Sequence, residues 1–467
     1  MLKNRLLKSF FKRGEKMNDT IAAISTPLGV GAISIIRVSG SEALNILNKI
    51  FKGKDLTHIK SHTINYGHIY DNEKLIDEVL VSVMLQPNTF TRENIVEINS
   101  HGGIATTNKI LELLLSNGCR LAEPGEFTKR AFLNGRIDLV EAEAVMDLIN
   151  SKTEKQVELA INQVNGQTSN LIKKLREELV SIIANINVNI DYPEYEDIKE
   201  VTNNDIVNKI NYIEESIKNI LKHSKDSQII NEGIKTAIIG SPNVGKSSIL
   251  NMLLDEEKAI VTDIPGTTRD IVEGSILING IMLKIIDTAG IRKTEDIVEN
   301  IGVEKSLKLV EEADLIIYVL NNNELLNQDN IELLKRIKDK NYLVIINKID
   351  LEKKLDHSIF DKSKVVKISA LNNECVDIIK NKINELFNLE ELNNNDLTYL
   401  SSARSISLLN QALNKLIEIK KSIEDDLPID FIELDLRNIW NLLGEIIGAT
   451  YTDELIDKLF SNFCLGK

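Results

Sequence analysis

A glycine-rich stretch, Gly240–Ser248, has the residue types and spacing of a loop that holds a polyphosphate. It reads GSPNVGKSS, with a short β-rich run, Lys235–Ile239, before it and the start of a helix, Ile249–Leu254, after it. Glycines let successive backbone N–H groups curl around phosphate oxygens, and the following helix turns its positive end toward them. In this pattern Lys246 reaches the β- and γ-phosphates, and the Ser247 hydroxyl ligates Mg²⁺. The predicted nucleotide-binding residues of the loop are Asn243, Val244, Gly245, Lys246, Ser247 and Ser248.

Further segments follow in the order that a guanine-nucleotide switch needs. An apolar run ends in DTAG, where Asp287 is expected to hold Mg²⁺ through water and the Gly290 N–H to sense the γ-phosphate. Two more apolar strands, Leu343–Ile346 and Val365–Ile368, run into NKID and into Ser-Ala. The N-K-x-D pattern resembles the guanine-reading motif of GTPases, whose Asp accepts hydrogen bonds from two N–H groups that adenine lacks. These segments predict base and phosphate contacts from Asp287, Thr288, Ala289, Gly290, Asn347, Lys348, Asp350, Ser369 and Ala370.

The stretch Thr262–Asp270, TDIPGTTRD, lies between the glycine-rich loop and DTAG. It resembles the first switch of the TrmE–Era–EngA group of GTPases. In that interpretation Thr268 completes the magnesium shell with Ser247, and Gly266 gives the loop room to rearrange. The alternative is a plain polar turn. The switch interpretation adds Thr262, Asp263, Ile264, Pro265, Gly266, Thr267 and Thr268 to the GTP-binding residues.

The position after the DTAG glycine is Ile291, where Ras-type enzymes have a glutamine that orients water. Another group must therefore assist hydrolysis. Asn243 resembles the Asn that helps to hold a monovalent cation beside the phosphates in potassium-activated members of this group. Such a cation can neutralise charge in the transition state, as an arginine finger does. The alternatives are that Asn243 only stabilises the loop, and that Arg269 and Arg292 are either fingers or surface charges.

Composition limits the remaining possibilities. The chain has 467 residues and a formal net charge of −14, and this length is enough for about three domains. An acidic protein is not expected to coat duplex nucleic acid, so any RNA contact needs a local patch or the surface of a partner. The widely spaced Cys119, Cys375 and Cys464 form neither a disulfide framework nor a metal-binding pattern, which suits a reducing cytosol. Since no apolar run reaches about eighteen residues, we expect a cytoplasmic protein without membrane spans.

The first 16 residues, MLKNRLLKSFFKRGEK, are basic and weakly amphipathic. They are either an organelle transit peptide or a disordered extension, with Met17 as the true start. The small number of serines favours the extension.

The pattern of apolar residues divides the rest of the chain around the GTPase motifs. Short strands, Ile33–Val38, Val79–Leu85 and Ile95–Ile98, with a helix near Thr106–Leu115, predict an N-terminal α+β domain. Helical periodicity then dominates, as in Leu171–Ile190, and it returns after the GTPase. The predicted boundaries are 1–16 for the extension, 17–134 for the N-terminal domain, 135–232 and 390–467 for two helical parts, and 233–389 for the GTPase. We therefore predict a P-loop GTPase domain, with a doubly wound sheet, inserted in an all-α domain.

Two segments outside the GTPase motifs are specific enough to indicate a family. Ala122–Leu139 reads AEPGEFTKRAFLNGRIDL, and the chain ends in FCLGK. Together with TDIPGTTRD, they resemble the TrmE family of tRNA modification GTPases, also called MnmE, from about Met17 to the end. The resemblance implies an N-terminal domain that binds a one-carbon tetrahydrofolate, of the 5,10-methylene or 5-formyl type, and that dimerises.

The resemblance also implies a reaction and partners. A homodimer would form a heterotetramer with an MnmG-type protein that uses FAD and NADH. Together they would add a carboxymethylaminomethyl or aminomethyl group to carbon 5 of the wobble uridine of certain tRNAs, while GTP is hydrolysed with Mg²⁺ and K⁺.

Site residues are carried over by motif, with simpler alternatives left open. Arg37, Glu93 and Arg136 match folate contacts, and Lys467 matches a C-terminal one; a carboxylate suits the donor edge of a pterin. Arg37 and Arg136 are alternatively ordinary salt-bridge residues. The magnesium ligands are Ser247 and Thr268, and the potassium-binding residues are Asn243, Thr262, Ile264 and Thr267.

The remaining two matched residues bear on catalysis. Glu299 matches the acid thought to position the attacking water, and it is alternatively a solvated helix charge. Cys464 is either active in the tRNA chemistry or a quiet buried thiol. Arg92 stands where the family commonly has Gly, and Asn94 where it commonly has Asp, so the loop around Glu93 departs from the family pattern.

Two other classes of protein fit part of the pattern. A ribosome-assembly switch like Era or EngA would need an RNA-binding appendage or a second GTPase domain, and the chain has a single phosphate loop and no basic C-terminal module. A folate-binding module with a degenerate GTPase is disfavoured because Lys246, Ser247, Thr268 and Asp287 are intact.

Overall fold

A computed structural model describes residues 19–191, 203–255, 274–286, 308–370, 375–389, 399–425 and 428–466. The chain divides into two compact units. One comprises residues 1–146, 163–215 and 407–467, and the other comprises residues 147–162 and 216–406. None of the described helices is both long enough and apolar enough to cross a membrane.

The strands, in chain order, are β1 (Ile21–Ile24), β2 (Ile33–Ser39), β3 (Phe51–Lys52), β4 (Thr63–Asp71), β5 (Lys74–Met84), β6 (Ile95–His101), β7 (Arg120–Leu121), β8 (Ile234–Ile239), β9 (Ser275–Ile278), β10 (Ile281–Ile285), β11 (Leu315–Asn321), β12 (Tyr342–Asn347) and β13 (Val365–Lys367).

The helices are α1 (Ala43–Ile50), α2 (Ile104–Ser116), α3 (Glu126–Leu133), α4 (Leu139–Asn150), α5 (Glu154–Val164), α6 (Gln167–Asp191), α7 (Asn203–Glu232), α8 (Lys246–Asp255), α9 (Gln328–Ile337), α10 (Cys375–Phe387), α11 (Ala403–Glu424), α12 (Ile429–Ile446) and α13 (Asp453–Phe460).

The first unit contains a mostly antiparallel sheet of order β3-β4-β5-β6-β2-β1-β7, in which only the short β1–β7 pairing is parallel. Strand β2 shows how the sequence positions the site. Its buried Ile36 and Val38 alternate with Arg37, so the apolar side chains face the core while Arg37 faces the other way. The core behind them is closed by α1 and α2. In α1 the buried residues Ala43, Ile46, Leu47 and Ile50 recur at helical spacing.

The same unit contains the long helices predicted from periodicity. Helix α6 buries Ile172, Leu175, Leu179, Ile182 and Ile186, and it packs against α12. Steps of three and four residues keep these side chains on one face, so burial of that face stabilises a helix of this length. The stretch predicted as helical, Leu171–Ile190, is confirmed within Gln167–Asp191.

The second unit contains a sheet of order β13-β12-β11-β8-β10-β9, parallel except for the β9–β10 hairpin at one edge. Its central strands are continuous apolar runs, because core clusters cover both faces. This is the doubly wound arrangement that the sequence predicted, and it places β8, β12 and β13 so that their carboxyl ends share one edge.

Strands β1, β3, β4, β7, β9 and β11 were not predicted from the sequence. Four of them have only two to four residues and carry little periodicity, β4 alternates among polar residues, and β11 is a continuous apolar run without a period of two. Residues 147–162, 216–232 and 390–406, assigned from sequence to the helical parts, fall in the same unit as the GTPase sheet. Leu159 and Ile230 are the physical reason, since both are buried in the core of that sheet.

Candidate nucleotide site and N-terminal site

The phosphate loop joins β8 to α8 and has a backbone that side chains would obstruct. Gly240 and Gly245 have φ angles of 147° and 101°, and Asn243 has a φ of 60°. A Cβ at Gly240 would overlap the Val319 carbonyl oxygen, and one at Gly245 would overlap the Asn347 amide. Glycine is therefore required by both conformation and space. Helix α8 begins at Lys246, earlier than predicted, so Lys246 and Ser247 lie in its first turn, where N–H groups point outward.

Lys246 spans the loop from its own helix. Its Nζ donates to the carbonyl oxygens of Gly240 and Ser241, at 2.7 Å each. Burial lowers the pKa of this ammonium, because a charge loses hydration there. A polyphosphate seated in the loop would restore a counter-charge, so the position suits phosphate binding.

Asn347 ties the loop to the two guanine motifs. It ends β12 and is only 2% exposed. Its Nδ2 donates to the Val244 carbonyl at 2.8 Å, while its Oδ1 accepts from the Lys348 N–H at 2.8 Å and the Ala370 N–H at 3.0 Å. This one buried side chain therefore joins the three segments through three hydrogen bonds.

The other predicted guanine-contacting residues surround Asn347. The Lys348 Nζ donates to the Asn243 carbonyl at 2.8 Å, and the Ser369 Oγ donates to the Asp350 Oδ1 at 2.6 Å. Asp350 is exposed at the carboxyl edge of the sheet, where its carboxylate is available to a base. The structure thus brings together the loop, NKID and Ser-Ala, which the sequence predicted separately.

Two loop residues take roles that the sequence did not distinguish. The side chain of Val244 is 1% exposed and belongs to the core, so its contribution to the loop is the carbonyl that Asn347 contacts. The side chain of Asn243 is exposed, and its left-handed backbone shapes the loop.

Several predicted residues lie outside the described residues. These are the first switch, Thr262–Asp270, the DTAG segment, Asp287–Gly290, and the individual positions Ile291, Arg292, Glu299 and Lys467.

In the first unit, Arg37 lies on β2 opposite Glu97 on β6. Its Nε and Nη2 contact Glu97 Oε1 at 2.9 and 2.8 Å, and its Nη1 donates to the Gly466 carbonyl at 3.2 Å. The ordinary salt bridge considered for Arg37 is thus present, and the same guanidinium also meets the C-terminal segment.

Glu93 follows β5 in a tight loop and turns back onto β2. Its Oε2 accepts from the Ser39 Oγ at 2.7 Å, and both of its oxygens accept from Arg130 Nη1 at 3.3 Å. Arg92, beside it, has a φ of 58°, in the region that favours the glycine common in the family. Its Nη1 donates to the Asn134 carbonyl at 3.0 Å, which anchors the loop to the end of α3.

Aromatic rings link the remaining N-terminal residues. The Arg136 guanidinium lies 5.1 Å from the Phe90 ring centroid, and that of Arg37 lies 5.7 Å from the Phe127 centroid. Phe90 packs on the cluster that contains Phe127. Arg37 and Arg136 lie beside the packed rings of Phe127 and Phe90, and Glu93 contacts Ser39 on the same strand as Arg37. The structure therefore brings these predicted site residues together.

The C-terminal segment folds onto this neighbourhood. The Cys464 carbonyl accepts from the Gly125 N–H at 3.2 Å, and the Gly466 carbonyl accepts from the Ser25 Oγ at 3.1 Å. Cys464 is exposed, so the alternative of a quiet buried thiol does not hold for this residue. Cys119 is a buried thiol, and burial raises its pKa to about 12. An exposed thiol on an anchored segment is accessible for chemistry.

Sequence reasoning missed Ser39, Arg130 and Ser25. The alternation in β2 carried a signal for Ser39, since it lies two residues from Arg37 on the same strand. No local signal identified Arg130 as a partner of Glu93, because the two are 37 residues apart in the chain.

Comparison with known proteins agrees with this geometry. A family model described as GTP-binding protein TrmE N-terminus matches residues 20–136, and one described as MnmE helical domain matches residues 139–464. The tRNA modification GTPase MnmE of Lactococcus lactis subsp. lactis is 53% identical over 449 residues, covering 96% of this chain and 98% of that protein. This chain belongs to the MnmE family.

Another MnmE, from Bacillus licheniformis, is 53% identical over 458 residues, covering 96% of this chain and all of that protein (100%). Among solved structures, the G domain of the T. maritima FeoB iron transporter is 27% identical, over 33% of this chain and 98% of that one, with a TM-score of 0.25. Membership of the MnmE family makes this protein a GTPase, and it also accounts for the helical segments on both sides of the nucleotide site.

Proposed function

We propose that this MnmE-family protein is a potassium-dependent GTP hydrolase that takes part in modifying carbon 5 of the wobble uridine of certain tRNAs. It would act with an FAD- and NADH-dependent MnmG-type partner to add a carboxymethylaminomethyl or aminomethyl group, taking carbon from a one-carbon tetrahydrofolate. Two observations support the proposal. The chain has both a phosphate loop that is hydrogen-bonded to the guanine motif and an N-terminal site that contains arginines, and it is 53% identical to a tRNA modification GTPase.

The nucleotide reaction assigns a role to each residue. Water attacks the γ-phosphorus, the bond to the β-phosphate oxygen breaks, and GDP and inorganic phosphate leave. Lys246 binds the β- and γ-phosphates, while Ser247, with Thr268, would ligate Mg²⁺. Glu299 would orient the water. The potassium-binding residues would be Asn243, Thr262, Ile264 and Thr267.

The N-terminal site supplies complementary groups for a folate. The Glu93 carboxylate matches the adjacent N–H donors on one edge of a pterin. Arg37, Arg136 and the C-terminal Lys467 would contact the rest of the ligand, and a guanidinium also pairs well with the carboxylates of a folate tail. Cys464 reaches this neighbourhood on the anchored C-terminal segment.

The proposal extends to assembly and organisation. The protein would form a cytoplasmic homodimer, and two partner subunits would complete a heterotetramer. Its domains would be 17–134 for folate binding and dimerisation, 233–389 for the GTPase, and 135–232 with 390–467 for the helical domain.

Mass spectrometry of wobble uridines tests the function directly. A strain lacking the gene should lose the modified uridine, and the wild-type gene should restore it. Glu299→Ala should bind GTP but lose both hydrolysis and modification, whereas Cys464→Ser should keep hydrolysis and lose modification. Unchanged uridines in the deletion strain would refute the function, and normal modification by a hydrolysis-dead Glu299→Ala would refute the coupling to GTP.

A further inference from the structure

Arg130, on α3, is a deeply buried charged residue of the first unit. It is 1% exposed and lies between carboxylates of three different segments. Its Nη2 donates to Asp19 Oδ1 at 2.7 Å and to Glu126 Oε1 at 2.9 Å, while its Nη1 faces Glu93. A buried guanidinium with this many partners is expensive to desolvate and is held firmly in one geometry.

The carboxylates behind Arg130 are fixed in the charged state. Burial raises the pKa of Glu126, but Arg120, the Glu123 N–H and Arg130 more than offset it, and the pKa lies below its usual value. Burial also raises the pKa of Asp19, but Arg120 and Arg130 outweigh it, so the pKa of Asp19 is lowered as well. Asp19 and Glu126 therefore both present negative charge to Arg130.

The Glu93 side chain is less deeply buried than its partner Arg130 and than Glu126. It is 16% exposed, in contrast to 1% for Arg130 and 2% for Glu126. Arg130 Nη1 lies 3.3 Å from each Glu93 oxygen, and the Ser39 Oγ lies 2.7 Å from Oε2. These donors do not use all of the about four acceptor positions of a carboxylate, so Glu93 keeps the capacity to bind a ligand.

We infer that Arg130 and Ser39 are positioning residues of the folate site, which orient the Glu93 carboxylate toward the donor edge of a pterin. This inference rests on the proposed function. Its physical basis is geometric and entropic. Two adjacent N–H donors are recognised well only by a carboxylate held in one plane. A freely rotating Glu would lose rotamer entropy on binding, and this loss would weaken the affinity. Neither residue would contact the folate itself.

The test is calorimetric titration of the full-length protein with 5-formyltetrahydrofolate. Glu93→Gln probes the site, and Arg130→Lys and Ser39→Ala probe the positioning. Lysine keeps the charge but has one nitrogen, so it cannot contact Glu93 as Nη1 does and also bond Asp19 and Glu126 as Nη2 does. Arg120→Lys is the matched control, since Arg120 pairs with Asp19 and Glu126 in the same network but makes no hydrogen bond or ion pair with Glu93.

We expect Arg130→Lys and Ser39→Ala each to weaken folate binding about tenfold, the loss expected for one hydrogen bond to a charged group. Arg120→Lys should leave the affinity within about twofold of wild type, because Lys keeps the positive charge beside Asp19 and Glu126 and because Arg120 makes no hydrogen bond or ion pair with Glu93. In a Glu93→Gln background, Arg130→Lys and Ser39→Ala should cause no further loss, since the group they orient has already been altered.

Each alternative outcome overturns a distinct claim. Unchanged affinity in Glu93→Gln would refute the folate site, and the positioning with it. Weakened binding in Glu93→Gln but wild-type binding in both positioning variants would refute only the positioning. Equal losses in both backgrounds would show that Arg130 and Ser39 support the fold rather than Glu93. If Arg130→Lys does not fold, the cycle between Ser39→Ala and Glu93→Gln decides the question alone.

Discussion

The junction at Asn347 predicts a large effect from one side chain. Replacing Asn347 with Ala removes the hydrogen bonds to the Val244 carbonyl, the Lys348 N–H and the Ala370 N–H. At about 1 kcal/mol net for each bond, the loss is roughly 3 kcal/mol. Since ~1.4 kcal/mol corresponds to a factor of ten, affinity for GDP should fall by about 100-fold if the junction holds the loop in its binding shape.

The assay is calorimetric titration of GDP with Mg²⁺ into the full-length protein. Asn65→Ala is the matched control, because Asn65 is also a buried Asn, 5% exposed, that donates to a backbone carbonyl, but it lies on β4 of the other unit. It should lower stability without changing GDP affinity. Equal GDP affinity in Asn347→Ala and wild type would refute the claim that this side chain holds the site together. A loss of the same size in Asn65→Ala would show that the effect is not specific to the junction.

Three further predictions concern the two sites. Hydrolysis of GTP should be faster in potassium than in sodium, because Ile291 cannot orient the attacking water. Asn243→Ala should remove this difference in rate while GTP still binds. Equal wild-type rates in the two salts would contradict the prediction. Asp350→Asn should weaken GTP binding and favour xanthosine nucleotides, because it exchanges the acceptor that guanine needs, and unchanged GTP affinity by titration would show that Asp350 does not read the base. Gly466→Ala should detach the C-terminal segment, because Gly466 has a φ of 83° and a Cβ there would overlap the Ile24 carbonyl. It should lose wobble-uridine modification and keep GTP hydrolysis, and modified uridines at the wild-type level by mass spectrometry would refute that role of the glycine.

The nucleotide site was largely predictable because its chemistry is local. Gly240 and Gly245 are needed for backbone angles within a few residues of Lys246, and the strands before each motif are continuous apolar runs. A parallel sheet then brings motifs far apart in sequence to one edge. The sequence could not show that Asn347 closes the junction by three hydrogen bonds, or that Val244 contributes through its carbonyl.

The N-terminal site depended much more on tertiary structure. The sequence determined the types of its groups, an Arg on β2 and a Glu after β5, and it determined the alternation that turns Arg37 away from the core. Only the fold decided that Arg130 supports Glu93, that Ser39 contacts the same carboxylate, and that Gly466 seats against Arg37 across 429 residues of chain. Local propensity fixes backbone shape over a few residues, whereas the partners of a buried charge are set by which segments the core brings together, and this is why the ion network could not be read from spacing.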